Sequence, residues 1–564
     1  MAIKRALEKP PHNPFPGWGL YFLGLVILNL LPIWVFPFVP SQDGPAHLDS
    51  AIALRALASG DAFFHEYYDA YWRIASNQIY LLLLVGLGSF FPMLIAEKLI
   101  LSLYVIMLPV AMLFAIRQLR TGNLHAVFLA FPLIYSYIFQ LGFYNYCLGL
   151  IFFLFAIGLY VNFTRIPTIK NSLILSIALF ITYFLHVFVA ACTILAIGSM
   201  AVGRSLWPVV TRWLEPRAKS SGLPGPNGKE VGLLTLSIAP VMIAMITFLA
   251  STETSTFKEG ASLLSSLTQS QLIFTIHPRL LLSQTFTTFS LVDLTVSLPW
   301  HLLLVSLAGI AVLKRRQLHD GKQHGFLAFA VAVFFVLILV IPGHIGSISF
   351  LFGRCQPYFY FLFILWLATK PLTPSIWRHA AVLAIVISAA NVAYRIPIYA
   401  DLNHDLVEFT SAAAHIDDNS TVLPVILGNS VFNGLAEMHP RVRFNHMKHA
   451  IGYITQRHQI ANLVNYQAFM GYFPIQYRDK ANTHLRPAWA DSGELEVDFD
   501  AYEATTGRHV DYVLLWGPTD EEKYQKILGS LLRELSGKYT LVYVSEPRGL
   551  MRVYRAKTLP SIPH

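Results

Sequence analysis

The sequence predicts a polytopic α-helical membrane protein, with about eleven transmembrane helices followed by a C-terminal extracytoplasmic α/β domain. Three observations carry this. Of the 564 residues, 55% are hydrophobic and only 13% are charged, where a soluble domain carries roughly twice that charge. Apolar runs of the ~20 residues that cross a bilayer as a helix recur up to residue 394. After Arg395 those runs stop, and charged and histidine residues become frequent. The chain thus divides into a membrane region, 1–394, and a water-soluble domain, 395–564.

The first run, Trp18 to Val39, is too long for a cleavable signal peptide, and no small-residue cleavage site follows it. Lys4, Arg5 and Lys9 keep the N-terminus cytoplasmic, so the first helix points outward. An outer loop over 40–76 follows, rich in acidic and aromatic side chains, with a short amphipathic helix expected from Asp49 to Leu57. Further spans are expected at 77–91, 97–116, 124–139, 143–163, 172–202, 231–250, 297–313, 325–341, 349–369 and 378–394. An odd number of crossings puts the C-terminal domain outside.

Arg204, Arg212, Arg217, Lys219 and Lys229, and then Lys314, Arg315 and Arg316, fall on the cytoplasmic side of this count. Arg117, Arg120, Arg165 and Lys170 fall on the wrong side. Either those loops break the rule, or 172–202 is two short helices hinged near His186 and an earlier segment is re-entrant. A second outer loop spans 251–297, and a third, Pro342 to Ser347, contains His344. The net charge of +9 fits this topology and anionic lipid, and gives no reason to expect nucleic acid.

The soluble domain has β-like runs at Thr421–Leu427, Val510–Trp516, Tyr539–Val544 and Met551–Tyr554, with a helical pattern at Glu521–Leu535. No glycine-rich nucleotide-binding motif occurs. Cys147, Cys192 and Cys355 lie in or beside apolar runs and form neither a disulfide framework nor a metal-finger spacing.

The chemistry concentrates at Asp43-Gly44-Pro45-Ala46-His47-Leu48-Asp49, where the first helix leaves the bilayer. A carboxylate this close to hydrocarbon is costly to solvate and is a functional candidate by default. Asp43 is either the N-cap of the next helix or a general base held near bulk water, and His47 and Asp49 lie within reach of the same point.

That element, the two long outer loops and the soluble outer domain resemble the GT-C superfamily of integral-membrane glycosyltransferases. Phe143-Tyr144-Asn145-Tyr146-Cys147-Leu148-Gly149-Leu150 and Gly353-Arg354-Cys355-Gln356-Pro357 look like segments of its bacterial members. The resemblance covers about 17–394 and is architectural more than motif-level. It implies transfer of a hexose or pentose from a polyprenyl-phosphate donor to a lipid, glycan or protein on the outer face of the plasma (inner) membrane, in service of the cell envelope. It makes Asp43 the acidic residue of the first outer loop, which acts as base or orients the acceptor. The chain departs from the family by having Gly44 and Pro45 where a second acid is common. The partner role is left to His47, Asp49, Asp61, Glu66 or Asp69.

A lipid phosphate leaves readily only when its charge is neutralised, so a cation is required. Arg354 suits that role, with Lys258, His277 and Arg279 of the second loop as competitors. Asn77, Tyr144, Asn145, His186 and His344 are candidates to line the substrate cavity. Interhelical hydrogen bonding and helix capping account for several of them equally well. The sequence does not decide whether a cofactor takes part: a divalent ion at Asp43, His47 or Asp49 is compatible with the family, some of whose members act without metal, and His446 with His449 is a weaker metal candidate. The rival readings are a transporter or flippase for a lipid-linked or anionic substrate, and a non-catalytic membrane assembly subunit.

Overall fold

The computed structural model describes residues 17–72, 75–121, 123–214, 225–251, 293–313, 325–341, 344–345, 348–427, 444–470, 472–478, 488–489, 495–520 and 522–557. The fold is that of a polytopic α-helical membrane protein with a C-terminal α/β region. Among the described residues six helices are long and apolar enough to cross a membrane: Met93–Leu119, Tyr144–Arg165, Val187–Trp207, Gly228–Ala250, Thr295–Leu313 and the stretch Pro374–His415. Shorter apolar helices run over Trp18–Trp34, Ile169–Leu185 and Gly325–Val340, and an apolar helix of 18 residues covers Leu351–Ala368.

Three expected spans are corrected. Residues 77–91 yield a helix of only 9 residues, Ile79–Leu87, which ends where Gly88, Ser89 and Pro92 interrupt the apolar run. Residues 124–139 form a 3-10 helix, Leu124–Leu133, with Pro132 inside it, and then a single turn, Tyr137–Gln140. The long run 172–202 is two helices, Ile169–Leu185 and Val187–Leu214, separated at His186, whose backbone is extended. The break at His186, the alternative to a single span there, is the arrangement present.

The chain forms two compact units. One comprises the chain up to Leu31, Ser102–Phe139 and Tyr144–Arg395. Its helices approach closely where glycines remove side-chain bulk: Gly149 lies against Val189, and Gly203 against Phe326 and Phe329. Two of its buried cations have clear partners: Arg204 pairs with Glu230, and the Arg395 guanidinium lies over the Tyr135 ring.

The other unit comprises Pro32–Leu101, Gln140–Phe143 and the chain from Ile396 onward. Its five-stranded mixed sheet has the order Tyr539–Val544, Met551–Ala556, Tyr512–Trp516, Ser420–Ile426, Ile460–Asn462. Strand Ser420–Ile426 is parallel to both neighbours, and the remaining pairs are antiparallel. Tyr524, Leu528, Leu531 and Leu535, spaced along one face of helix Glu522–Lys538, bury against Leu423, Val425, Val513 and Leu515. The strands and helix thus lie close to where the apolar patterning puts them.

Helix Gly44–Ala58 belongs to this second unit, and its burial departs from the amphipathic surface helix expected there. Most of its residues are buried, because Ile451–Ile454, Tyr466–Phe469, Ile79–Leu87 and Tyr68–Ala70 all pack around it. Strand Tyr68–Ala70 pairs antiparallel with Ile475–Tyr477, so the first loop and the C-terminal region share a two-stranded sheet. Gly452 is what permits the approach of the turn to Pro45: a Cβ there would sit 1.9 Å from the Pro45 carbonyl oxygen. Gly452→Ala is therefore expected to lower the melting temperature by several degrees, whereas Gly529→Ala, which meets nothing within 4 Å, leaves it unchanged or raises it slightly. Equal melting temperatures for the two variants would contradict this packing.

Candidate functional site

The backbone of Gln42 and Asp43 is held first. The Gln42 amide donates to the Gln140 carbonyl and the Asp43 amide to the Leu141 carbonyl, each at 3.1 Å. Gly142, at φ +78°, lies so close that a Cβ would fall 2.5 Å from the Gly44 nitrogen and 2.8 Å from that of Asp43. Pro45, in the first turn of helix Gly44–Ala58, lacks an amide that would need a partner there.

Asp43 occupies the N-cap position of this helix, but its side chain makes no capping hydrogen bond. The capping role that its sequence position suggests is not the one its carboxylate performs. Oδ2 accepts from the Tyr466 hydroxyl at 3.3 Å. Oδ1 lies 3.3 Å from Gln42 Nε2 and 3.7 Å from His449 Nε2. Asp43 is only 8% exposed, so the carboxylate faces these groups and little water.

His449 is held neutral. Burial pushes its imidazole well below the ordinary histidine value, and the charges of Lys448 and His47 act in the same direction. The 3.7 Å between it and Asp43 is therefore a contact of a carboxylate with a neutral ring, longer than a hydrogen bond. Burial also drives the Tyr466 phenol well above its usual range, assisted by the Asp43 charge, so it remains a donor.

His47 has partners in Gln467 and Tyr80. Its Nδ1 meets Gln467 Nε2 at 2.8 Å, and its ring packs edge-on against Tyr80 with centroids 5.0 Å apart. Burial lowers its pKa to about 4, opposed by a backbone hydrogen bond with Gly142. Asp49 Oδ2 accepts from Asn462 Nδ2 at 2.7 Å and from Asn465 Nδ2 at 2.9 Å. The three side chains bond to different partners, Asp43 to Tyr466, His47 to Gln467, and Asp49 to Asn462 and Asn465. Among the described residues no three histidine, cysteine or acidic side chains form a group able to hold a metal ion. No step below passes through a metal.

The acids of the first loop take structural partners. Asp61 caps helix Ala62–Tyr67 through the Phe64 amide, Glu66 accepts from Arg508, and Asp69 from Arg478. His446 bonds Asp405 at 3.0 Å, apart from His449. Asn77 sits at φ +65° ahead of helix Ile79–Leu87.

The other unit holds Tyr144 and Asn145, both buried in the first turn of helix Tyr144–Arg165. The neighbouring Tyr146 hydroxyl donates to the Arg354 carbonyl at 2.5 Å, and its ring lies edge-on to His186 at 5.6 Å. Arg354 is close enough to His186 to act on its charge, so sequence positions 146, 186 and 354 come together. His344 lies in a two-residue strand paired with Ile348–Ser349. Lys258, His277 and Arg279 lie outside the described residues.

Sequence reasoning missed Tyr466, Gln467 and the pair Glu97-Lys98. Glu97 is fully buried, and neither carboxylate oxygen has a hydrogen-bond partner among the described residues. Lys98 donates to the Phe36 carbonyl at 2.6 Å. Two adjacent charges at the start of an apolar run were a visible signal, obscured by setting the span's start at 97. Tyr466 and Gln467 lie in a stretch without periodicity and gave no signal.

No protein-family model and no curated protein matches the chain. Among solved structures it is similar to ArnT from Cupriavidus metallidurans, determined with undecaprenyl phosphate bound. The identity is 11% and the TM-score 0.47, over 97% of this chain and 100% of that one.

The buried titratable groups predict a pH dependence. Burial pushes the Asp49 carboxyl up to about 7, against the hydrogen bonds from Asn462, Asn465 and Thr455. Between its ordinary value near 4 and about 7, the folded chain retains a proton that the unfolded chain releases. The Asp49 contribution to stability therefore falls as pH rises through that window. His47, shifted the other way, contributes the opposite slope from about 4 to 6.5. Melting curves of Asp49→Asn and the parent should therefore diverge in the variant's favour as pH rises from about 4 to 7, and run parallel above about 8. A constant difference across that range would show that Asp49 titrates as an ordinary carboxylate.

Proposed function

We propose that this chain is a membrane glycosyltransferase of the GT-C class, with Asp43 as the base for direct displacement at a sugar carbon. The observation that carries this is a buried carboxylate at a helix N-cap that leaves the cap unmade and instead faces Tyr466 and His449. A carboxylate serving only the fold would accept the helix amides in front of it.

In this reading the acceptor hydroxyl approaches Asp43 Oδ1 from the side facing His449. Its proton passes to Oδ1 as its oxygen bonds to the anomeric carbon. The bond from that carbon to the phosphate oxygen breaks, and the electron pair leaves with the polyprenyl phosphate. One displacement inverts the anomeric configuration. The leaving phosphate needs a cation. We assign this to Arg354, with Lys98, the buried lysine of the Asp43-bearing unit, as a second candidate. The second-loop residues Lys258, His277 and Arg279 stay in the proposal on sequence grounds alone. Acceptors remain a lipid, a glycan or a protein.

The corrected elements support the proposed orientation in the plasma (inner) membrane. If Ile79–Leu87 does not cross, Leu124–Gln140 does, and the helices on either side of His186 cross separately, the count is again about eleven. Arg117, Arg120, Arg165 and Lys170 then fall on the cytoplasmic side with the later basic clusters, and the C-terminal region outside. A cysteine introduced at Glu522 should react with an impermeant maleimide in intact cells, and one at Ser221 only after permeabilisation; the reverse pattern would overturn this orientation.

The chemical test is turnover of undecaprenyl-phosphate-linked glucose, mannose and arabinose by the purified full chain, read as release of undecaprenyl phosphate. Asp43→Asn should lower the rate at least about 100-fold with little change in melting temperature. Full activity in that variant would refute the assignment.

A further inference from the structure

Asp43 and His47 are both met by a single four-residue turn, Tyr466–Phe469. The Tyr466 hydroxyl donates to Asp43 Oδ2, and Gln467 Nε2 reaches both His47 Nδ1 at 2.8 Å and the Tyr466 hydroxyl at 3.3 Å. A turn this short has little stability of its own. Its N-cap is Asn465, whose Oδ1 accepts from the amides of Gln467 and Ala468 at 3.0 and 3.2 Å. The same side chain donates through Nδ2 to Asp49 Oδ2, at 2.9 Å, and to the Ser50 hydroxyl, at 3.2 Å.

Asn465 thus uses its oxygen to cap the turn and its nitrogen to bind the helix that begins at Gly44. Its backbone amide is also held, donating to the Tyr477 hydroxyl at 2.9 Å. The adjoining strand is fixed to the same carboxylate, because Asn462 Nδ2 donates to Asp49 Oδ2. Asp43 and Asp49 lie on one rigid helical stretch. A turn secured to Asp49 therefore returns at a defined distance to Asp43.

We propose that Asp49 and Asn465 are positioning residues, which set the Tyr466 hydroxyl against Oδ2 of Asp43 and leave Oδ1 as the oxygen that reacts. This rests on the reading of Asp43 as the base. Tyr466 restricts the carboxylate to one orientation, and Gln467 holds Tyr466 from its other side. Neither Asp49 nor Asn465 touches the reacting atoms. Their effect falls on kcat, since the acceptor can still bind when the base is misoriented.

The test exchanges donor and acceptor across the Asp49–Asn465 contact. Asn465→Asp alone preserves the cap acceptors but sets two carboxyl groups against each other, and is expected to lower kcat at least about tenfold with KM within about twofold. Adding Asp49→Asn restores a donor–acceptor pair and should return kcat to within about threefold of the parent. Tyr466→Phe, which retains the ring against His449, should lower kcat by about tenfold without loss of folding. Turnover is measured with the undecaprenyl-phosphate-linked sugars above, alongside Asp43→Asn. Parental kcat in Asn465→Asp or in Tyr466→Phe, or a double variant no better than Asn465→Asp, overturns the positioning role. An inactive Asp43→Asn combined with any of those results refutes the positioning role alone; an active Asp43→Asn refutes the base, and the positioning role with it.

Discussion

The arrangement depends on the clamp that holds the backbone of Gln42 and Asp43 against Gln140 and Leu141. A carboxylate next to the first turn of a helix normally turns inward to the exposed amides, which offer it hydrogen bonds and a favourable dipole. Here the backbone at Asp43 is in a helical conformation, φ −101° and ψ −8°, where a capping residue is normally extended. Gly142 crosses so close to Asp43 and Gly44 that no larger residue fits. With the cap geometry denied, the carboxylate is released to face Tyr466 and His449. The clamp thereby leaves the carboxylate of a commonplace helix start directed at side chains from the C-terminal region.

Around that point the C-terminal region supplies the walls. Tyr466, Gln467 and His449 all come from sequence more than 400 residues after Asp43, and each is buried against helix Gly44–Ala58 or its neighbours. Tyr68–Ala70 pairing with Ile475–Tyr477, Arg508 with Glu66, and Arg478 with Asp69 tie the first loop to the same region. The loop acids that could have completed a pair with Asp43 serve as attachments. Gln42, Tyr466 and His449, which face its carboxylate, are polar, and burial holds His449 neutral.

What could be read from sequence follows from the range of the interactions involved. The membrane class, the strands and the Glu522–Lys538 helix are local in origin, set by apolar patterning over a few turns. Asp43 stood out because its cost is local too. The failures were equally physical. Residues 77–91 are apolar enough for a span, but Gly88 and Pro92 end the helix after Leu87. Pro132 within Leu124–Leu133 accompanies a 3-10 helix where a regular span was expected. The partners of Asp49 were out of reach of local patterning as well: Asn462 and Asn465, distant in sequence, bind its carboxylate. Neither Tyr466 nor Gln467 carries a mark of its partner, since the contact exists only after the chain has folded back on its first loop.

The central claim is that Asp43 Oδ1 is the oxygen that takes the acceptor proton. A cryo-electron-microscopy structure of the full chain with a non-hydrolysable undecaprenyl-phosphonate sugar and a bound acceptor measures this directly. The account predicts an acceptor hydroxyl within about 3 Å of Asp43 Oδ1, on the side facing His449 and in line with the bond to the leaving phosphonate. An acceptor or anomeric carbon bound elsewhere, with Asp43 still closed against Tyr466 and His449, would contradict it.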